Sequence, residues 1–474
     1  MRITTSRMRL IACFVLGGVL GALARPAAAE IPLANAQFSF QIQNLGNAPA
    51  SCRYDIYANA GNNPIFSHTI ASPVPVGGRL LVYTGAAAHG GTAMPAGVNS
   101  GKVECNQDVG AVVVFQNNVK RDTYIATKAP ASIMYAPVVY KNYYNFSSSM
   151  RIQNTAASEQ TILVTYYAPG SSMPAATRSA VLGPNGSITI DQAEVAALLP
   201  NVAYSARVAG SAPLALNVVI FGRPGSSVEP QLYSYSGVSS GATTIYTPVV
   251  LKNYFGFNTS TTVLNLGTQD ATVKRTFSNG AIDTYTIQPN SSKVLLDFAN
   301  PKLPGGSTPY ASMIESLNGQ PLAVLVNQSN NLNRATVSEG LTAADGGTKI
   351  VLPSVVKRFY GYNSAIVCQN VGSAAATLNV TYNPGPYAGA LVRLSVGKSA
   401  TIYQPSEAGL PDGFSGSAEI TSDQPIACLA NQDQNEPPYS GQNKDMLGAY
   451  NGIVKRDLPG ESQTLAMPGL WLVK

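Results

Sequence analysis

Short stretches of alternating apolar and polar residues recur along the whole chain, and residues that favour turns separate them. Residues 161–167 (Thr-Ile-Leu-Val-Thr-Tyr-Tyr) and 377–382 (Thr-Leu-Asn-Val-Thr-Tyr) are two examples. A period of two, carried by branched and aromatic side chains, is typical of a β-strand with one buried face. The dipeptide Asn318-Gly319 lies between two such stretches and is a strong hairpin signal. The pattern predicts an all-β protein of many short strands, with one short helix possible at residues 191–199.

One segment recurs at a nearly constant interval. Residues 136–146 read Ala-Pro-Val-Val-Tyr-Lys-Asn-Tyr-Tyr-Asn-Phe, and residues 247–257 and 352–362 repeat the same order of residue types. Weaker copies surround Pro32 and Pro468 near the two ends. The five prolines lie at positions 32, 137, 248, 353 and 468, so the spacings are 105, 111, 105 and 115. Self-similarity at a fixed period indicates repeated structural units, and these spacings indicate four.

The parts within each unit also correspond. Residues 43–46 (Gln-Asn-Leu-Gly) have equivalents at 153–156, 264–267 and 369–372. Because Asn and Gly tolerate φ > 0, these residues are interpreted as a turn between two strands. Seven or eight short strands in roughly 100 residues are typical of a β-sandwich, whereas the main alternative, a propeller, has much shorter blades. The sequence predicts four tandem Ig-like β-sandwich modules in a rod-like array: module 1 at 30–135, module 2 at 136–246, module 3 at 247–351, and module 4 at 352–474 with an extra C-terminal strand.

Residues 1–29 have the form of a secretory signal peptide. A basic start precedes an apolar run from Leu10 to Ala24, and Ala27-Ala28-Ala29 resembles a cleavage site. We therefore predict a secreted protein, extracellular or attached to the cell surface. No later run has the roughly 20 apolar residues that a membrane helix needs. Loss of the four arginines in this segment lowers the net charge from +6 to +2, which argues against binding to nucleic acid.

Four cysteines remain after the predicted signal peptide. They form one pair in module 1 and one pair in module 4, with none between. Export places them in an oxidising compartment, where disulfides persist. The simplest pairing, Cys52 with Cys105 and Cys368 with Cys428, keeps each bond within one module.

The repeated segment and the turn that follows it resemble known bacterial surface proteins. The Asn-x-Gly turn followed by an alternating strand is similar to bacterial Ig-like domains related to cell adhesion. The full pattern, as in residues 247–254 and 264–267, resembles tandem repeats in proteins secreted to the surface of filamentous green non-sulfur bacteria. Module 1 departs by lacking Lys-Asn-Tyr, and module 2 has Ala156 in place of the turn glycine. The resemblance spans the mature chain and implies a sandwich fold and a surface role, but no particular activity.

The sequence argues against catalysis. Nucleophilic catalysis by a Ser–His pair needs a positioned histidine, and the two histidines, His68 and His89, both fall in module 1. Glycosidases need two carboxylates across a cleft, but the acidic residues are scattered and no pair recurs between modules. Calcium loops and phosphate-binding glycine loops have no match. We predict a protein that is not an enzyme and that uses no metal or cofactor.

Aromatic residues follow each repeated lysine and are the best candidates for interaction. One interpretation is a stacking platform for sugars or a protein partner. The other, favoured because the cluster recurs at every internal boundary, is packing at the junction between modules. The candidate residues are Tyr143, Tyr144, Phe146, Tyr254, Phe255, Phe257, Phe359, Tyr360 and Tyr362.

The last residues copy the start of the repeated segment, and Pro468, Leu470, Trp471 and Val473 form a candidate assembly strand. This strand completes module 4 of its own chain, or it adds to module 1 of a neighbouring chain and builds head-to-tail filaments. The leading hypothesis is a non-catalytic structural protein of the cell surface or extracellular matrix, with itself and other surface proteins as partners. The alternative is a monomeric adhesin or carbohydrate-binding module array, with glycans as partners.

Overall fold

The structure, a computed structural model, describes residues 37–83, 94, 97–306, 308–385, 387–440, 442–456 and 462–472. The predicted signal peptide (1–29) and Val473 lie outside the described residues. Nearly all regular structure is β, as the sequence predicts. None of the helical segments in the described ranges has the length and hydrophobicity needed to cross a membrane.

The strands follow the same order in each module. Module 1 contains β1 (Gln37–Asn44), β2 (Cys52–Ala58), β3 (Phe66–Thr69), β4 (Arg79–Tyr83), β5 (Gly97–Cys105), β6 (Val109–Gln116) and β7 (Arg121–Ile125). Module 2 contains β8 (Ala131–Lys141), β9 (Phe146–Asn154), β10 (Gln160–Tyr167), β11 (Pro174–Leu182), β12 (Ser187–Asp191), β13 (Val202–Gly222) and β14 (Leu232–Ser236).

The second half of the chain repeats this arrangement. Module 3 contains β15 (Thr244–Val250), β16 (Phe257–Asn265), β17 (Ala271–Phe277), β18 (Ile282–Ile287), β19 (Ser292–Leu296), β20 (Tyr310–Ser316), β21 (Leu322–Asn330) and β22 (Ala335–Glu339). Module 4 contains β23 (Gly347–Lys357), β24 (Tyr362–Asn370), β25 (Ala376–Asn383), β26 (Tyr387–Ala388), β27 (Val392–Leu394), β28 (Ser399–Tyr403), β29 (Phe414–Gln434), β30 (Leu447–Asn451) and β31 (Ile453–Val454), and the last strand is β32 (Gln463–Leu472).

Module 3 shows the common plan most clearly. One sheet has the strand order β15-β20-β17-β18 and the other has β19-β16-β21-β22. Apolar residues from both sheets, including Ile245, Val263 and Val324, form one cluster between them. In modules 2 and 4 the long strands β13 and β29 turn from one sheet into the other, and so replace the separate β20 and β21.

The predicted helix at 191–199 is reduced to a three-residue 3-10 turn at Gln192–Glu194, capped by the Asp191 carboxylate. Pro200 and the return of the chain into β13 leave no room for a longer helix. Equivalent turns are at Asp297–Ala299 and Gln404–Ser406, and a fourth, at Ala343–Asp345, precedes β23.

The prediction that the last strand belongs to module 4 is wrong, because β32 completes module 1. It pairs with β5 from Gln463 opposite Cys105 to Leu472 opposite Gly97, in a sheet ordered β3-β2-β5-β32. This is the position that β8, β15 and β23 occupy in the other modules. Module 1 lacks its own first strand within the described residues, and the far end of the same chain supplies it.

The rod-like array is also wrong, because the four modules close into a ring. Strands β7, β14, β22 and β30 lie side by side around a common axis, and each contacts two of the others. Apolar cores cross the module boundaries: Val112 and Val114 of module 1 pack in the core of module 4, and Leu325 and Val337 of module 3 pack in the core of module 2. In a rod, modules 1 and 4 would have no contact.

The four seams of the ring are alike. In each, a side chain from the second sheet of one module donates a hydrogen bond to a backbone carbonyl of the preceding module. The fourth seam joins module 1 to module 4 in the same way as the others join neighbours in sequence. The bonds are Gln153 Nε2 to Gly101 O (3.4 Å), Ser292 Oγ to Pro137 O (2.6 Å), Gln369 Nε2 to Ser312 O (3.3 Å) and Arg79 Nη2 to Ser415 O (2.5 Å).

This closure explains the repeated Pro-Val-Val segment. Strand β8 is buried on both sides, by its own core and by the next module, and such strands have continuous apolar runs. Proline has no N–H for the ladder, and each first strand has a register shift at that residue. The freed carbonyls accept hydrogen bonds from tyrosines of the axial strands: Tyr235 donates to Val138 O, Tyr450 to Ser354 O and Tyr124 to Pro468 O.

The Asn-x-Gly turns are stabilised by the asparagine side chain, which the sequence pattern did not predict. The asparagine Oδ1 accepts the N–H two residues ahead in all four modules, at Asn44, Asn154, Asn265 and Asn370, over 2.8–3.0 Å. This is an Asx turn and does not require φ > 0. At Gly267 a Cβ would lie 2.1 Å from Gln320 Oε1, so a larger residue there would have to displace that flexible side chain, whereas module 2 accommodates Ala156 at the equivalent position.

Both disulfides are present as paired from the sequence. Cys52–Cys105 joins the neighbouring strands β2 and β5, and Cys368–Cys428 joins β24 and β29. Each bond therefore lies within one module.

Candidate functional site

Three turns of the same form connect the first two strands of modules 2, 3 and 4. They are residues 142–145, 253–256 and 358–361, named here the aromatic turns. Each is closed by a pair of backbone hydrogen bonds, as between Tyr143 and Phe146. In each, the first, third and fourth residues have positive φ.

The third residue of each turn is a large aromatic side chain held in solvent. Tyr144, Phe255 and Tyr360 are 74%, 81% and 75% exposed, and their φ angles are 48°, 48° and 49°. Each ring stands edge-on to the preceding ring, with the centroids 4.7 Å apart. The left-handed conformation costs an aromatic residue roughly 1–2 kcal/mol. This strained conformation occurs in all three turns, although in none of them is the aromatic side chain buried.

The other six predicted aromatics pack against the protein. Tyr143 stacks on Tyr140 with centroids 5.1 Å apart, and Phe146 contacts Tyr233. Phe359 and Tyr362 join a small cluster within module 4. Tyr254 and Phe257 pack on a cluster that includes residues of module 4, and the Arg121 guanidinium of module 1 lies 4.9 Å from the Tyr362 ring. Packing at the junction thus describes part of this set, whereas the middle ring of each turn points away.

The lysine that precedes each aromatic turn anchors it by hydrogen bonds to backbone carbonyls. Lys141 Nζ donates to Val195 O and Lys252 Nζ donates to Asn300 O, both over 2.8 Å. Lys357 Nζ donates to two carbonyls, of Glu407 and Leu410. These carbonyls belong to the crossover that follows the 3-10 turn. The lysines therefore fix the turns rather than presenting free charges.

The three aromatic turns lie at the same end of the ring. The axial strands β7, β14 and β22 begin side by side, because Asp445 contacts the first residue of each. The loop that leads into an axial strand also reaches the aromatic turn of its module: Arg223 N donates to Asn145 O, and Glu436 N donates to Gly361 O. We call this the aromatic end.

Further exposed apolar side chains are found at the aromatic end. Met173 lies in the turn between β10 and β11, Leu199 and Phe298 lie in crossovers, and Leu332 lies in the loop before β22. The opposite end carries fewer in the described ranges, among them Val76, Leu317 and Val396. The aromatic end is therefore the more apolar of the two.

A buried acidic residue that no sequence pattern marked joins all four modules at the axis. Asp445 of module 4 is fully buried. Its Oδ2 accepts the Leu232 N–H of module 2 over 2.8 Å, and its Oδ1 accepts the Ala335 N–H of module 3 over 3.0 Å. Its backbone carbonyl accepts the Arg121 N–H of module 1 over 2.7 Å. Burial raises the pKa of the Asp445 carboxyl well above its usual value.

A second buried acid lies beside it. Asp122 accepts a hydrogen bond from Ser234 Oγ across the boundary between modules 1 and 2. Burial raises the pKa of Asp122 to about 7, against the lowering effect of that bond. These carboxyls are enclosed by the axial strands and have no exposed surface for a substrate.

The seams also leave a cleft of about 330 Å³ between modules 3 and 4. Tyr246, Phe277 and Met313 line one side, and Val371, Val396 and Lys398 line the other. The Lys398 ammonium donates to Ser278 O across the cleft. Within the described residues, no group of three or more His, Cys, Asp or Glu side chains is placed to hold a metal ion.

The residues of the candidate assembly strand are placed in module 1. Pro468 lies at the register shift of β32, and its carbonyl accepts a hydrogen bond from Tyr124 Oη over 3.1 Å. Leu470 is fully buried, and Trp471 pairs with Val98 in the ladder.

No protein-family model and no curated protein matches the chain. Among solved structures, Thermotoga maritima 1070 is 17% identical, and the alignment covers 23% of this chain and 94% of that chain with a TM-score of 0.20. The SGBP-B protein of the Bacteroides ovatus mixed-linkage glucan utilization locus, solved with a mixed-linkage heptasaccharide, is 10% identical. That alignment covers 82% of this chain and 92% of that chain with a TM-score of 0.13. Neither score is high enough to assign a fold or a function.

Proposed function

We propose that this protein is an extracellular, non-catalytic ring that binds polysaccharide surfaces through its aromatic end. The observation that carries the proposal is the threefold recurrence of an exposed aromatic ring in a strained turn. Strained residues persist where the surrounding structure over-determines them, and they cluster at functional sites. Tyr and Phe rings stack on the apolar faces of sugars through dispersion and CH–π contacts. Three such aromatic side chains on one rigid protein allow multivalent binding.

This proposal favours the adhesin or carbohydrate-binding alternative over head-to-tail filaments. Strand β32, which would have joined neighbouring chains in a filament, is instead paired with β5 in module 1 of its own chain. Catalysis is not proposed, because the strongly perturbed carboxyls Asp122 and Asp445 are enclosed at the axis and hold the modules together.

The test is a binding assay of the full chain on insoluble cellulose, chitin and xylan and on a glycan array. The variant is Tyr144→Asn, Phe255→Asn and Tyr360→Asn together. Asparagine tolerates the left-handed region, so the turns keep their form and the thermal midpoint stays within a few degrees. We expect saturable binding by the native ring and at least a tenfold loss in the variant.

The matched control removes three exposed apolar side chains at the opposite end: Val76→Ser, Leu317→Ser and Val396→Ser. This control should bind as the native ring does. Equal binding by the native ring and the aromatic variant, or loss in the control alone, would refute the aromatic end as the site. Absence of binding to every glycan would refute the ligand class.

A further inference from the structure

The groove of module 1 that holds β32 has a specific shape. Leu465, Met467 and Leu470 are all buried in it. A Cβ on Gly101 of β5 would lie 2.7 Å from Leu470 Cδ1 and 2.9 Å from Met467 Cε, so the glycine leaves the space that these two side chains occupy. The groove is thus built for an extended segment with large apolar residues at these positions.

Two further groups recognise the backbone of β32. On the side away from β5, Thr127 exchanges both backbone hydrogen bonds with Ala466, over 2.8 and 2.9 Å. At the register shift, Arg151 Nη1 of module 2 donates to Gly469 O over 2.8 Å. The Arg151 guanidinium also lies 5.3 Å from the Phe115 ring, which fixes its position.

Gly469 leaves the space that the Arg151 side chain occupies. Its φ is +75°, and a Cβ there would lie 1.9 Å from Arg151 Cδ. Arg151 is completely buried, so it has no space into which to retreat. Any residue other than glycine at position 469 is therefore excluded by both the backbone and the arginine.

The corresponding pairs at other seams are different. Where module 4 meets module 1, Gln41 Nε2 donates to Ser354 Oγ over 2.9 Å. Where module 3 meets module 4, Val249 and Val367 pack in one apolar cluster. The first strands of modules 3 and 4 therefore carry valine or serine where β32 carries Gly469, and they cannot fit beside Arg151.

The connection of β32 also differs from that of the other first strands. In modules 2 to 4 an aromatic turn ties the first strand directly to the second. In module 1 these two strands are β32 and β1, from opposite parts of the sequence, and no such turn joins them. The strand can therefore leave and enter its groove without threading a closed loop.

We propose that this groove is a selective strand-acceptor site. It binds the β32 segment of its own chain in the ring, and binds the same segment of a second copy when that is supplied in trans. The Arg151–Gly469 pair determines the selectivity, and strand addition to the β5 edge provides the affinity.

The test uses the full chain, folded intact, with a protease recognition sequence inserted between Arg456 and Ser462. After cleavage, the nicked ring is incubated with an excess of fluorescent peptide covering residues 462–474, and warmed to just below its unfolding midpoint. We expect the peptide to enter the ring, measured by anisotropy and by intact-complex mass. A peptide with Gly469→Val should enter at least tenfold less.

The matched variant is a nicked ring with Arg151→Thr, since threonine is the residue at this position in module 3, Thr262. This ring should accept the Gly469→Val peptide severalfold more readily than the native ring does, because the clash with the arginine is gone while the left-handed backbone at position 469 still disfavours valine. A general loss of stability would not produce that change in selectivity. The proposal is overturned if the native peptide fails to enter the native ring. It is equally overturned if the Gly469→Val peptide enters that ring as readily as the native one, or if Arg151→Thr leaves the discrimination unchanged.

Discussion

Replacing Asp445 with alanine tests the axis of the ring. The carboxylate accepts the N–H groups of Leu232 and Ala335, and both amides are buried. An alanine leaves each of them without this acceptor. A buried donor that loses its partner costs about 1–3 kcal/mol, so the two together should cost about 4 kcal/mol.

The assay is equilibrium unfolding in guanidinium followed by far-UV circular dichroism. We expect the free energy of unfolding of Asp445→Ala to fall by about 4 kcal/mol, with faster hydrogen exchange in β14 and β22 together. The two strands should respond together because the carboxylate bonds to modules 2 and 3, whereas the bond from Arg121 N–H of β7 goes to the backbone carbonyl, which alanine keeps. Faster exchange confined to module 4 would show that the residue does not join the modules.

A matched control is Asp423→Ala, also in module 4. The Asp423 carboxylate accepts one exposed N–H, from Thr377, over 2.7 Å. Water replaces that bond, so this substitution should cost less than about 1 kcal/mol. If Asp445→Ala costs no more than this control, the reasoning about the axis is refuted.

Three further predictions concern stability. Because burial raises the pKa of Asp122 to about 7 from 3.8, the folded state keeps a proton that the unfolded state releases; stability should fall between about pH 4 and 7 by up to about 1.4 kcal/mol per pH unit. Asp122→Asn should remove that part of the slope in unfolding curves measured across this range, and an unchanged slope would contradict it. Asp297→Ala leaves the buried Arg275 without its ion-pair partner, since the Arg275 Nη1 lies 2.6 Å from the Asp297 carboxylate. The substitution should lower the free energy of unfolding by about 3–5 kcal/mol, and adding Arg275→Met should restore much of that loss in the same unfolding assay. Replacing Cys368 and Cys428 by alanine opens a loop with a sequence separation of 60 and should cost about 4 kcal/mol in chemical unfolding, while a change below about 1 kcal/mol would contradict the loop-entropy argument.

The repeat and the strands could be predicted from the sequence because they depend on local patterns. The prolines at 137, 248, 353 and 468 occupy equivalent register shifts in the structure, so their spacing marked equivalent strands. The disulfide partners followed from the distribution of the cysteines along the chain.

The ring could not be predicted in this way, because its closure depends on contacts between distant segments. The signals were present: module 1 lacks the full repeated segment, and Pro468 is in register with the other prolines. What the sequence does not show is that the axial strands pack against one another, since β7, β14, β22 and β30 have dissimilar residues. The role of Asp445 has no counterpart in the other modules, so no repeat revealed it.

The aromatic turns were found from the sequence, but their division into packed and exposed rings was not. Tyr143 and Tyr144 are adjacent and chemically identical. Only the positive φ at Tyr144 turns one of them outward, and backbone conformation at a single position is not encoded in the apolar pattern.

The overall shape in solution tests the central claim most directly, and small-angle X-ray scattering of the monomeric chain measures it. A closed ring of this size should have a radius of gyration of roughly 22 Å, as a compact protein of equal length does. Four modules of about 13 Å each, placed end to end as a rod, would give roughly 40 Å. A value near the first figure supports closure of module 1 by β32, and a value near the second would contradict it.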